Sequence, residues 1–323
     1  MRTRGQDNDF AQRLDEDGFF VWRSLVPHDL IDLHLSAYQL FQTETGFDPK
    51  HVRYDDSVIA WHYEQLPTMD LIYNAQLMDF LRYRFGAEPV MALPMTGFSS
   101  WETGPHTDST AFVVDPPRSQ LRLWIALEDI HPDSGPIYFM PGSHRTISTT
   151  LREAVLIEHP DLRQALIDHS KPTTVEAFEK ATAPANRYLL EAIEKRLSRL
   201  SLPRVAPALK KGDAVIFEMD TVHGSSPWIN RQHTRKHMIM TWSSIKSRWF
   251  GPRYYWGPSH DYRCAEYAAT FPIVLTSHGL RLDKCSHYRG RAIDDDYSRP
   301  VVACHDEFVG MTGSSAEQRN ISV

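Results

Sequence analysis

Hydrophobic positions change their period along this chain. In the stretch VPHDLIDLHLSAYQLFQTETG, Ile31, Leu35, Tyr38 and Phe41 recur at helical spacing behind Pro27 and stop at Gly46, which predicts an amphipathic helix. MDLIYNAQLMDFLRYRFG repeats the pattern through Leu71, Ala75, Met78, Leu81 and Phe85, with Gly86 as its stop, so one further helix is expected there. From about residue 90 the texture turns to short apolar runs punctuated by Gly and Pro: PVMALPMTGFSSW, TAFVVD, QLRLWIALED and GPIYFMPGS. These read as strands. Helical spacing returns in an insert over roughly 151–200, where Tyr188, Leu189, Ile193, Leu197 and Leu200 follow Pro184. Strands resume at GDAVIFEMDTVHG and TRKHMIMTWSSI.

Helices first and a body of short strands afterwards predict an α+β, mainly β protein built on a barrel or jelly roll, whose mouth is the natural ligand site. The 323 residues are read as one domain, with the helical insert at about 151–200 and an aromatic C-terminal extension at about 244–300. Residues 1–8 and the tail GMTGSSAEQRNISV read as mobile ends.

Composition removes several function classes. Apolar residues at 41% and charged residues at 24% describe a globular chain, and a net charge of -6 gives no reason to bind nucleic acid. Cys264, Cys285 and Cys304 form neither a disulfide framework nor a zinc knuckle. The polar N-terminus and the lack of a membrane-length apolar run favour a cytoplasmic protein with no membrane partner.

His106 and Asp108 stand two apart in ETGPHTDST, and strand residues i and i+2 share a face, so both can reach one ion. The spacing alone is weak, because His-x-Asp recurs at His131 and His159, and His-x-Glu at His62 and His305. Pro132 and Pro160 mark the first two as a turn and a helix start. A third ligand is supplied by His223: in GDAVIFEMDTVHGSSPW, Phe217, Met219, Thr221 and His223 share one strand face by alternation. Two His and one carboxylate leave coordination positions open, the arrangement of non-haem Fe(II) oxygenases rather than of a closed zinc site. Arg235, opening the strand RKHMIMTW, is expected to point inward, where a guanidinium grips a carboxylate. Arg231, in the NRQH turn, competes for that role.

These residues resemble the phytanoyl-CoA dioxygenase family of Fe(II)- and 2-oxoglutarate-dependent oxygenases. The likeness runs over roughly 10–245, through FAQRLDEDGFFVWRSLVPHDLIDLH, His106-x-Asp108, LRLWIALEDIHPDSGPIYFMPGSH, KGDAVIFEMDTVHGSSPW and the Arg235 strand. It implies a double-stranded β-helix, a cupin-like jelly roll with helices packed outside. It also implies Fe(II) on His106, Asp108 and His223, 2-oxoglutarate held through its far carboxylate by Arg235 and Ser225, and O2 as co-reactant. Many relatives carry a polar residue on the strand before His-x-Asp, where Met91 stands in this chain. Halogenating relatives replace the carboxylate of the motif; Asp108 is present, which favours hydroxylation.

The activity this resemblance implies is oxidation, by hydroxylation, of a small molecule in secondary or specialised metabolism, with release of succinate and CO2. Two alternatives stay open: a metal-binding jelly roll that does not use 2-oxoglutarate, such as a cupin-like isomerase or small-acid sensor, and a silent relative acting as a binding module. Trp101, Phe112, Trp124 and the WFGPRYYW aromatics are candidate pocket walls, and Arg122 and His144 are either substrate contacts or partners of the PDSG turn.

Overall fold

The computed structural model describes residues 4–46, 66–100, 102–110, 113–146, 150–168, 175–250, 273–275, 277–282 and 302–304. The first helix, α1 (Arg4–Asp17), begins inside the segment read as a mobile end. Its Phe10 stacks on Phe20 at 4.3 Å between ring centroids and its Leu14 is fully buried, so tertiary packing orders a stretch whose own sequence is polar. Strand β1 (Phe19–Trp22) follows, then α2 (His28–Thr45), which starts after Pro27 and ends on Gly46 as expected.

The expected next helix is two helices. α3 (Leu66–Ile72) stops and α4 (Ala75–Phe85) restarts, because the Asn74 side chain accepts from the backbone N–H groups of Gln76 and Leu77 and so caps a new helix. The apolar stripe is continuous across this break, which is why periodicity alone joins the pieces. Leu71, Met78 and Leu81 are buried on both sides of it.

Strands β2 (Pro89–Gly97), β3 (Val113–Asp115), β4 (Gln120–Ala126) and β5 (Ile137–Phe139) occupy the predicted apolar runs. Helices α5 (Thr150–Glu158), α6 (Pro160–Asp168) and α7 (Val175–Leu200) form the insert, and α7 continues through Pro184. Then come β6 (Ala214–Glu218), β7 (His223–Ser225), β8 (His237–Ser244), β9 (Arg248–Phe250), β10 (Ile273–Leu275), β11 (Leu280–Leu282) and β12 (Val302–Cys304).

Among the described residues the major sheet has the order β1-β6-β4-β8-β2-β11-β10-β12; its first five strands pair antiparallel. A second, small sheet pairs β5 with β7 and faces the first through Phe139, on which Phe19 stacks at 4.5 Å and which Phe217 meets edge-on at 5.0 Å. Two facing sheets with helices packed outside form the jelly-roll architecture that the sequence implies. The outer face of the major sheet is closed by α1 and α4, where the Phe80 ring meets Phe20 edge-on at 5.5 Å and Trp22 at 5.9 Å. The inner face is left to the site. Most of the aromatic C-terminal stretch lies outside the described residues, as do Trp101, Phe112, His62 and His305.

Phe80 is fully buried at the centre of the aromatic cluster that fixes α1 and α4 to the sheet. Truncation in Phe80→Ala is expected to destabilise the protein by about 3–5 kcal/mol. Chemical denaturation of the two proteins in parallel checks this.

Candidate metal and cosubstrate site

The continuous strand expected from Phe217 to His223 does not exist. β6 ends at Glu218, the chain turns with Thr221 N–H on the Glu218 carbonyl, and β7 restarts at His223 in the other sheet. Alternation therefore cannot place His223. A backbone bridge does: the amide of His106 donates to the His223 carbonyl at 3.0 Å and the amide of His223 returns the bond at 3.0 Å. The Asp108 amide donates to the Met219 carbonyl, tying the His-x-Asp segment to the turn between β6 and β7.

Gly224 makes this crossing possible. A Cβ there would stand 2.6 Å from the Tyr138 hydroxyl and 2.8 Å from the Thr103 carbonyl, so the HGS run needs its glycine for close approach.

His106, Asp108 and His223 each offer one ligand atom, and these lie within 4.8 Å of one another. Each imidazole is oriented from behind. His106 Nδ1 donates to the Gly104 carbonyl at 2.8 Å, and His223 Nδ1 donates to the Thr221 carbonyl at 2.9 Å. In a neutral ring this makes Nε2 the lone-pair nitrogen, and both Nε2 atoms face the carboxylate, that of His106 at 3.9 Å from Asp108 Oδ1 and that of His223 at 3.6 Å from Asp108 Oδ2. Burial, followed by the neighbouring His106, lowers the His223 pKa to about 4, which keeps this ring neutral at physiological pH.

Asp108 is held by Arg122, whose Nε donates to Oδ2 at 2.7 Å while Nη1 donates to the Thr241 hydroxyl at 2.7 Å. Burial opposes ionisation of this carboxyl, and the Arg122 charge, aided by the two imidazoles, overcomes it, so the pKa falls below the usual carboxylate range. Arg122 thus contacts Asp108 rather than the PDSG turn. His144 is turned away, toward the Asp15 carbonyl in α1. That Arg122 is buried and needs a partner was open to discovery from the strand itself, since Arg122 and Gln120 are polar residues two apart in the otherwise apolar QLRLWIA; which partner it takes was not.

Arg235 precedes β8 rather than opening it, and is 3% exposed. Nη1 donates to the Gly135 carbonyl at 2.7 Å and to the Ser225 hydroxyl at 3.0 Å, and Nη2 to the Ser99 carbonyl at 3.4 Å. Nε has no partner, and no carboxylate of the described residues pairs with this guanidinium. Burial lowers its pKa to about 10, so it stays charged at neutral pH. Arg231 is different: its side chain is 63% exposed, bonded to Glu102 at 3.0 Å and lying over the Trp228 ring. Met91 is no substitute for a polar contact at the site. It pairs with Trp242 on the sheet face opposite to that of Arg122 and Thr241. The decoys behave as turn and helix start: His131 caps the Pro132–Ser134 turn, and His159 precedes α6 and stacks on Tyr188.

The family profile described as Phytanoyl-CoA dioxygenase (PhyH) matches residues 87–237, a span that holds every residue of the cluster. Residues 87–237 are thus similar to the phytanoyl-CoA dioxygenase family. With the curated relatives, this match marks a non-haem Fe(II)- and 2-oxoglutarate-dependent dioxygenase. It is similar to the ectoine dioxygenase of Nocardia farcinica, at 23% identity over 72% of this chain and 76% of that protein. Phytanoyl-CoA dioxygenase 1 of Oryza sativa subsp. japonica shares 30% identity over 46% of this chain and 43% of its own. Among solved structures, the epimerase SnoN in complex with Fe3+, alpha ketoglutarate and nogalamycin RO superposes with a TM-score of 0.57 at 16% identity, covering 87% of this chain and 99% of that one. EctD from S. alaskensis with 2-oxoglutarate and 5-hydroxyectoine gives 0.52 at 18% identity, covering 83% of each. These superpositions show a shared fold.

The residues fit the groups the family uses. Two oriented Nε2 lone pairs and an ionised carboxylate suit a divalent iron, and a buried guanidinium without a counter-charge suits an anionic cosubstrate. Replacing Arg122 by Leu frees the Asp108 carboxylate to rotate and leaves it without its cation. Metal affinity is expected to fall about 10–100-fold in Arg122→Leu, read by anaerobic titration calorimetry with Fe(II).

Proposed function

We propose that His106, Asp108 and His223 hold Fe(II), that Arg235 and Ser225 anchor the far carboxylate of 2-oxoglutarate, and that the enzyme hydroxylates a small molecule in specialised metabolism. The observation that carries this reading is the pairing of the three-ligand cluster with a buried guanidinium that has no acidic partner among the described residues. When bound together, Fe(II) and 2-oxoglutarate supply O2 activation coupled to decarboxylation to succinate and CO2.

The protein's own residues prepare that chemistry. The Gly104 and Thr221 carbonyls fix which imidazole nitrogen is offered, and Arg122 keeps Asp108 ionised and its orientation single. Ser225 lies between the two halves of the site: its neighbour but one, His223, belongs to the metal cluster, and its hydroxyl accepts from Arg235. The Ser99 and Gly135 carbonyls orient the guanidinium without neutralising it, so a carboxylate arriving there meets a preformed partner. Phe217 and Phe139, at 4.8 Å and 6.1 Å from the His223 ring, exclude water behind that ligand.

No helix of the described residues is long and apolar enough to cross a membrane. With the net charge of -6 this supports a cytoplasmic enzyme acting on a small molecule rather than on nucleic acid.

The test needs no substrate. Anaerobic addition of Fe(II) and then 2-oxoglutarate to the metal-free protein is expected to produce a visible metal-to-ligand charge-transfer band. Arg235→Ala should weaken 2-oxoglutarate binding about tenfold or more, the worth of a charge-assisted pair, while Arg231→Ala leaves it unchanged. Stoichiometric iron binding with no band would favour the 2-oxoglutarate-independent metalloprotein instead.

A further inference from the structure

The register of β4 and β8 orders the interior of the barrel. On β4 the residues Gln120, Arg122, Trp124 and Ala126 alternate onto one face, and opposite them on β8 stand Ser243, Thr241, Ile239 and His237. Arg122 reaches Asp108, so this is the face of the site and the ligand cluster lies at its level. Arg235 lies beyond the His237 end of the row. Gln120 lies at the other end, about 7 Å along the strand from Arg122. The cosubstrate anchor and Gln120 are thus on opposite sides of the cluster.

Gln120 is 1% exposed, and neither Oε1 nor Nε2 has a hydrogen-bond partner. A buried carboxamide with both ends unsatisfied is a rare and destabilising element, and a Leu of similar size would fill the same space without that penalty. Its two ends also state what would satisfy it. A carboxylate offers only acceptors and would leave Oε1 alone, and an ammonium offers only donors and would leave Nε2 alone. A neutral group with a donor and an acceptor side by side satisfies both. The nearest charge on this face, Arg122, is already committed to Asp108.

We propose that Gln120 is a substrate-recognition residue whose carboxamide pairs with a neutral donor–acceptor edge of the cis-amide or lactam class, on the side of the ligand cluster away from Arg235. This placement of substrate rests on the iron and 2-oxoglutarate reading above; the binding preference of the carboxamide does not. It names a substrate class for the site rather than a single compound.

The test compares wild type with Gln120→Leu, both loaded anaerobically with Fe(II) and 2-oxoglutarate, using valerolactam and N-methylvalerolactam as probes in titration calorimetry. Valerolactam is expected to bind wild type and to bind Gln120→Leu about tenfold more weakly, and the N-methyl compound, which lacks the donor, to bind both weakly. The charge-transfer band should be the same in both proteins. The melting temperature of the metal-free variant should rise by roughly 2–4 °C, because an unsatisfied buried amide has been removed. Equal lactam binding by the two proteins would overturn the proposal. So would a lower melting temperature in the variant, which would mark Gln120 as structural, or loss of the band in the variant alone, which would put it on the cosubstrate. A band missing from wild type would instead defeat the iron and 2-oxoglutarate reading, and the lactam titration would still decide Gln120.

Discussion

An ionised carboxylate in a nearly dry interior has to be held there by something of opposite charge, and in this protein that is Arg122 against Asp108 at 2.7 Å. The pair joins two things that are otherwise separate. Arg122 belongs to β4, the centre of the major sheet, and is fixed by the Thr241 hydroxyl on β8. Asp108 belongs to an irregular segment held to the second sheet by the His106–His223 bridge. The cluster of His106, Asp108 and His223 is therefore mounted on both walls of the barrel at once, with one ion pair setting the distance between them.

Once Asp108 is fixed, the rest of the site follows from backbone geometry. Carbonyls of Gly104 and Thr221 select the imidazole tautomers, the Met219 carbonyl holds the Asp108 amide, and Gly224 lets the strands come close enough for all of these bonds to form. The second charged residue of the interior, Arg235, is treated in the opposite way. It is surrounded by carbonyls and a hydroxyl but given no anion, which leaves its charge for a ligand.

Much of this was legible in the sequence, and the failures have physical causes. The jelly roll could be read because short apolar runs between Gly and Pro punctuation leave few other architectures, and the three clustered side chains could be read because His-x-Asp and a strand-end His are chemically distinctive. Asn74 was missed because a capping side chain interrupts a helix without interrupting its apolar stripe. The Phe217–His223 alternation failed because a turn at Met219–Thr221 hands the chain from one sheet to the other while Met219, Thr221, Val222 and His223 all stay buried, and only the half-buried Asp220 marks the break. Met91 was placed at the site by its position in the chain, and the pleat turns it to the other face. Arg122 was noticed but its partner was not, since a contact between β4 and a segment 14 residues earlier leaves no local signature.

The insert has its own apolar core, formed by Leu151, Val155, Leu156, Leu162, Ala185, Leu189, Ile193 and Leu197, yet that core also contains Tyr138, Met140 and Val222. Tyr138 lies in β5, and Val222 is the residue before His223. The helices that rise over this side of the barrel and the backbone that carries the His223 imidazole are therefore one packed unit. Evolution cannot exchange this insert as an interchangeable lid: a replacement has to reproduce the apolar seat under Val222, so diversification here proceeds by resurfacing the same helices rather than by swapping them.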